Sequence, residues 1–161
     1  IASASITISA ELKLPDFVKS CVDWLLKTCS VGTEAASGDR SQLAASGDRS
    51  QLAASGDGSQ LAASGYRSQL AASGDGSQLA ASGDGSQLAA SGDGSRLAAS
   101  GDGSLVMGSY GSRAKAAQNG AIALAWWDGT RPRIAVGYVG EELKADTWYR
   151  LDDKGNFVEV E

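Results

Sequence analysis

Between about Ala35 and Ser109, apolar and polar positions recur every nine residues as Ser-Gln-Leu-Ala-Ala-Ser-Gly-Asp-Gly/Arg. Leu43, Leu52, Leu61, Leu70, Leu79, Leu88 and Leu97 keep the step, and Val106 takes the next slot. A glycine column, Gly38 to Gly101, and two serine columns, Ser37 to Ser109 and Ser41 to Ser104, run in phase with them. A short fixed period predicts stacked, near-identical units rather than an ordinary globular core.

Each unit divides into a strand-like half and a turn-like half. In Ser41-Gln42-Leu43-Ala44-Ala45, alternation places Ser41, Leu43 and Ala45 on one face and Gln42 and Ala44 on the other. Ser46-Gly47-Asp48-Arg49 supplies turn chemistry, since glycine tolerates positive φ and Ser and Asp bond to nearby backbone. A strand and a turn make half a coil, so two repeats, eighteen residues, make one flattened turn of a β-solenoid. Roughly four coils at ~4.8 Å give a rod of ~20 Å. Leu43, Leu61, Leu79 and Leu97 are expected inside one sheet, and Leu52, Leu70, Leu88 and Val106 inside the other. The core is then thin, and backbone and serine hydroxyl ladders are expected to supply much of the cohesion. A helix is disfavoured because Ser-Gly-Asp-Gly recurs too often. Low complexity also fits a disordered linker, but the strict leucine register argues against it.

The flanks read as caps, which a solenoid needs to cover its open strand edges. Ile1 to Ala10 reads as a strand. Pro15 to Cys29 reads as an amphipathic helix with Leu14, Phe17, Val18, Cys21, Val22, Leu25, Leu26 and Cys29 on one stripe. After Ser109 the repeat decays through one degenerate unit, Arg113 to Gly120. Ala121 to Trp127 and Ile134 to Val139 then read as strands around a hairpin loop. A second hairpin joins Thr147–Leu151 to Asn156–Val160. Three segments follow: an N-terminal strand and capping helix over 1–34, the nonapeptide solenoid over 35–120, and an antiparallel β cap over 121–161. The expected class is mainly β.

The Ala-Ala-Ser-Gly nonapeptides, the strand Ile122–Trp127 and the closing segment Lys144–Leu151 with Phe157-Val158-Glu159-Val160 carry a resemblance. Ile6-Thr7-Ile8, followed by the helix from Leu14, adds to it. On these residues the chain resembles an uncharacterised family of phage, prophage and gut-bacterial proteins, over nearly its whole length. The resemblance implies a phage or bacterial origin and a non-secreted protein. Members usually carry a further N-terminal region, and no catalytic residues come with the family.

Composition narrows the function classes. The 161 residues carry a net charge of −5, four Trp and no His. Lack of His removes imidazole acid–base chemistry and histidine zinc sites. No basic cluster stands out along the chain, so nucleic-acid binding is not expected. Cys21 and Cys29, on one helix, would stand about 12 Å apart along the axis, too far to pair, which suits a reducing cytosol. No apolar run is long enough to span a membrane, and no signal-peptide pattern is present. The chain opens on Ile1 rather than Met, so a fragment or processed product is expected.

The turn acids invite three comparisons. Calcium nonapeptides share the period, but Ser41, Ser50 and Ser59 stand where their ligand Asp would be. Asp39, Asp57, Asp75 and Asp93 on one edge, with Asp48, Asp84 and Asp102 on the other, suggest a nucleic-acid mimic. Arg40, Arg49, Arg67 and Arg96 dilute that charge, so solvated turn acids are the simpler reading. Ice-nucleation repeats share turns like Ser64-Gly65-Tyr66-Arg67-Ser68, but no Thr occurs between Thr33 and Thr130.

No carboxylate pair is singled out by spacing, so the expected function is non-enzymatic, with no cofactor and no metal. The leading expectation is a scaffold or binding module in the bacterial cytoplasm that engages a host protein. Gln42, Gln51, Gln60, Gln69, Gln78 and Gln87, with Trp126 and Trp127, are the candidate binding residues. The alternatives are a homo-oligomer packed through Ala44, Ala62, Ala80 and Ala98, or an ice- or small-ligand-binding face.

Overall fold

The computed structural model describes residues 33–160. The strand and helix expected over 1–32 lie outside these residues. The described residues all belong to one compact unit.

Each nonapeptide forms one short strand and one turn. The strands are β1 (Thr33–Ala36), β2 (Gln42–Ala45), β3 (Gln51–Ala54), β4 (Gln60–Ala63), β5 (Gln69–Ala72), β6 (Gln78–Ala81) and β7 (Gln87–Ala90). β8 (Arg96–Ala99), β9 (Leu105–Gly108) and β10 (Arg113–Ala116) continue the stack. Odd strands stack in parallel in one sheet, here sheet A, and even strands in the other, sheet B. Leu43 pairs with Leu61 and Leu52 with Leu70, each eighteen residues on. Ten strands at two per turn give about five turns, one more than expected, because Thr33–Ala36 and Arg113–Ala116 also serve as rungs.

The two leucine columns face each other across the interior, all buried, with alternate alanines such as Ala63 and Ala81 beside them. The serines Ser50 to Ser104 are buried too, but they do not form ladders between coils. Each hydroxyl donates within its own turn, as Ser68 Oγ does to the Gly65 carbonyl at 2.8 Å and Ser77 Oγ to that of Gly74 at 2.8 Å. A serine three residues after the carbonyl reaches it more easily than one in the next coil.

Cohesion between turns comes instead from backbone and aspartate. The Asp75 N–H donates to Asp57 Oδ1 at 2.9 Å, and the Asp93 N–H to Asp75 Oδ1 at 2.8 Å. The Gly58 N–H donates to the Asp75 carbonyl at 2.8 Å. The two rows of turn acids therefore knit neighbouring coils together. On the second row Tyr66 replaces an Asp, its N–H bonded to Asp48 Oδ1 at 2.9 Å.

The two glycine columns serve different needs. A Cβ at Gly65 would stand 2.1 Å from the Gly47 carbonyl oxygen, so this column exists because backbones touch. At Gly76 nothing lies within 4 Å, but φ is +64°. Arg40, Arg49 and Arg67 occupy that second column with φ of 56°, 57° and 54°. A left-handed residue costs roughly 1–2 kcal/mol, which the chain tolerates at these three arginines and again at Asn119, with φ of 57°.

At the C-terminal end the coil shortens. Gln87 pairs with Leu105, 18 residues on; Arg96 pairs with Arg113, 17 on; Leu105 pairs with Ala121, 16 on. The loss falls in the turns, so the alternation of buried and exposed positions survives. β11 (Ala121–Trp127) is thus both the last parallel rung of sheet A and the first strand of a hairpin. Its antiparallel partner β12 (Pro132–Tyr138) ends sheet A. β13 (Trp148–Leu151) joins β10 antiparallel through Ala114 and Tyr149, and β14 (Phe157–Val160) ends sheet B.

Candidate functional site

The outward positions of each strand form two flat faces. Gln51, Gln69 and Gln87 line the face of sheet A, and Gln42, Gln60 and Gln78 that of sheet B; all six are exposed. Alanines lie beside them: Ala53, Ala71 and Ala89 on sheet A, and Ala44, Ala62 and Ala80 on sheet B. Small residues beside long ones leave a groove along each face. The sheet A groove, about 340 Å³, runs to Leu105 and Met107, and the sheet B groove, about 670 Å³, to Arg96 and Trp148.

The faces differ where the repeat decays. On β9, Leu105 and Met107 occupy the slots held by Gln and Ala in earlier rungs. On β11 the outward residues are Ala121, Ala123, Ala125 and Trp127, register partners of Tyr138, Val136, Ile134 and Pro132 on β12. Leu105, Met107, Trp127, Ile134, Val136 and Tyr138 are 39% to 68% exposed. Of the large exposed apolar residues described, Tyr66 alone lies elsewhere. No charged residue points outward on β9, β11 or β12.

Sheet B ends in the opposite way. Arg96 and Arg113 are register partners, and Lys115 pairs with Ala98. On β13, Tyr149 points into the core, so Trp148 and Arg150 point outward. Arg96 Cζ lies 5.2 Å and Lys115 Nζ 5.7 Å from the Trp148 ring centroid. Four cations thus share one face with an indole, although like charges in register oppose sheet pairing. The ion pairs among the described residues are Arg133–Asp128 and Lys144–Glu159 at 2.6 Å, and neither touches this patch. No basic cluster stands in the linear sequence; folding builds one from residues up to 54 positions apart, Arg96 to Arg150.

The two tryptophans singled out together in the sequence part company. Trp127 faces outward, 54% exposed. Trp126 is half-buried, and its indole covers Gly155 so closely that a Cβ there would stand 2.3 Å from Cε2. Gly155 sits in the β13–β14 turn with φ of +80°, so Trp126 ties the two end hairpins together.

The end turns are held by aspartates. Asp128 accepts from the Thr130 hydroxyl at 2.7 Å and from the Arg131 and Thr130 N–H groups at 2.9 Å each, and pairs with Arg133. Those donors, the Thr130 hydroxyl foremost, hold its carboxyl well below the usual range. Asp152 is lowered too, chiefly by the Asn156 N–H. The Glu159 carboxylate raises the Lys144 ammonium. Among the described residues no group of three or more acids, Cys or His gathers into a metal site, and no helix is long and apolar enough to cross a membrane.

Comparison with known proteins adds no relative: no family model, no curated protein and no solved structure matches this chain.

Proposed function

We propose that this chain is a non-enzymatic binding module of phage or prophage origin that grips an acidic segment of a host protein on the face of sheet B. The origin rests on the resemblance carried by the nonapeptides and the closing strands. The binding reading rests on one observation: Arg96, Arg113, Lys115 and Arg150 converge on one outer face around Trp148 in a chain of net charge −5. Stacking cations that no described carboxylate neutralises costs folding energy, and such a cost is repaid when an anionic partner arrives.

A protein segment fits this face better than a nucleic acid. The two Asp rows border the groove along its length and repel a continuous polyanion. Trp148 already carries two cations, so it offers no free platform for base stacking. An extended segment with apolar contacts along Ala44, Ala62, Ala80 and Ala98, and carboxylates at the Arg96–Arg150 end, satisfies both halves of the groove. The exposed Gln42, Gln60 and Gln78 amides bond its polar atoms.

A labelled acidic peptide that alternates Glu with apolar residues provides the probe. Wild-type protein is expected to bind it with an affinity that falls as salt rises. The pair R96E and R150E together is expected to weaken binding at least about tenfold. A host protein recovered on the wild-type bait should be lost from the same variant. Equal binding by wild type and variant sinks the proposal.

A further inference from the structure

We infer that the apolar end of sheet A is a homodimer interface, in which two copies of this chain pack face to face across a two-fold axis. The inference stands on different residues from the sheet B proposal and does not depend on it.

The area is sufficient. At roughly 200 Å² for a fully exposed large side chain, Leu105, Met107, Trp127, Ile134, Val136 and Tyr138, each about half exposed, offer on the order of 600 Å² per copy. A monomer's largest apolar patch is about 300–600 Å², so this face is at the upper limit. Two copies together bury about 1,200 Å², where specific, stable interfaces begin.

The shape matches itself. β11 presents Ala121, Ala123 and Ala125 as a valley. Leu105 and Met107 on β9 form one ridge beside it, and Ile134, Val136 and Tyr138 on β12 form the other. A two-fold axis between β11 and β12 seats the β12 ridge of each copy in the β11 valley of the other. Such an isologous contact closes on itself. Sheets meeting this way sit ~10 Å apart with interdigitated side chains. The patch carries no charge, so two copies bring no repulsion together. A heterologous partner would have to supply a complementary surface; a second copy already has it.

At the Tyr138 end, the free edge of β12 is covered by its own chain. Glu142 Oε2 accepts the Tyr138 N–H at 2.9 Å. Strand addition at that end would have to displace this bond.

Sedimentation equilibrium of the full chain across the micromolar range tests the inference. Twice the chain mass is expected. I134K with V136K should raise the dissociation constant by about 100-fold or more while the circular dichroism stays that of wild type. I134T with V136T, which keeps β-branched side chains, decides the matter if the lysine pair fails to fold; it should weaken the dimer by about tenfold. R96E with R150E should leave the dimer intact, so failure of the sheet B proposal and failure of this one are separable. A wild-type monomer at every concentration overturns the inference. So does a dimer indifferent to folded I134T/V136T, or one that only R96E/R150E dissolves.

Discussion

The two sheets are built from the same nonapeptide and have the same number of strands, yet their outer faces end in opposite chemistry. Sheet A runs from a Gln row into Leu105, Met107 and the apolar side of β12. Sheet B runs from an equivalent row into Arg96, Arg113, Lys115, Trp148 and Arg150. The interior of the repeat persists from rung to rung, whereas the outward slots hold Gln and Ala from β2 through β7 and change from β8 onward. Repetition thus supplies a rigid lattice, and identity is written on its outward slots where the register loosens.

The largest effects are expected where both sheets share the lattice. Gly65→Ala drives a Cβ to 2.1 Å from the Gly47 carbonyl and should cost about 3 kcal/mol or more in chemical denaturation. Gly76→Ala has open space and only the φ penalty, so about 1 kcal/mol is expected. Equal losses at the two sites would show that backbone contact does not define the first column.

Leu70→Ala and Leu79→Ala probe opposite sheets. Both side chains are fully buried, and each change should cost about 3 kcal/mol. A clear inequality between them would break the premise that the two faces stand on one symmetrical core.

Gly155→Ala sharpens the difference at the end of the molecule. It forces Trp126 off the β13–β14 turn, at about 2 kcal/mol, and should redden tryptophan fluorescence without altering the repeat's circular dichroism. An unshifted spectrum would mean that Trp126 does not hold the two hairpins together.

The smallest effect is acid dependence. Asp128 and Asp152 have folded values below their ordinary ones. Their stabilisation is therefore complete above about pH 4 and is lost as pH falls through the lowered range. The end hairpins should loosen in acid before the leucine core does. Asp128→Asn should flatten that response, read as tryptophan emission against pH.

The solenoid was legible because its period is strict: nine residues, one apolar slot and one turn signal determine rung, face and pairing. The leucine columns, the edges that carry the acids and the end hairpins follow from alternation alone. The serine bonds did not follow, because buried polar atoms in phase suggest ladders as readily as closures within a turn. The basic face was hidden for a different reason. Arg96, Arg113, Lys115 and Arg150 meet only because one coil loses a residue and β13 returns antiparallel beside β10. The apolar face did leave a signal, Leu and Met in the Gln and Ala slots at 105 and 107. Its other half waited on the β11–β12 register.

Two repeats per turn make copy number a matter of parity. The gain or loss of one unit rotates every earlier rung by half a turn relative to the C-terminal patches. Tyr66, now on the edge with Asp48, Asp84 and Asp102, would move to the opposite edge. A change of two units merely lengthens or shortens the rod by one coil, leaving each row beneath the same patch. Variants of this architecture that preserve both faces should therefore differ by even numbers of nonapeptides.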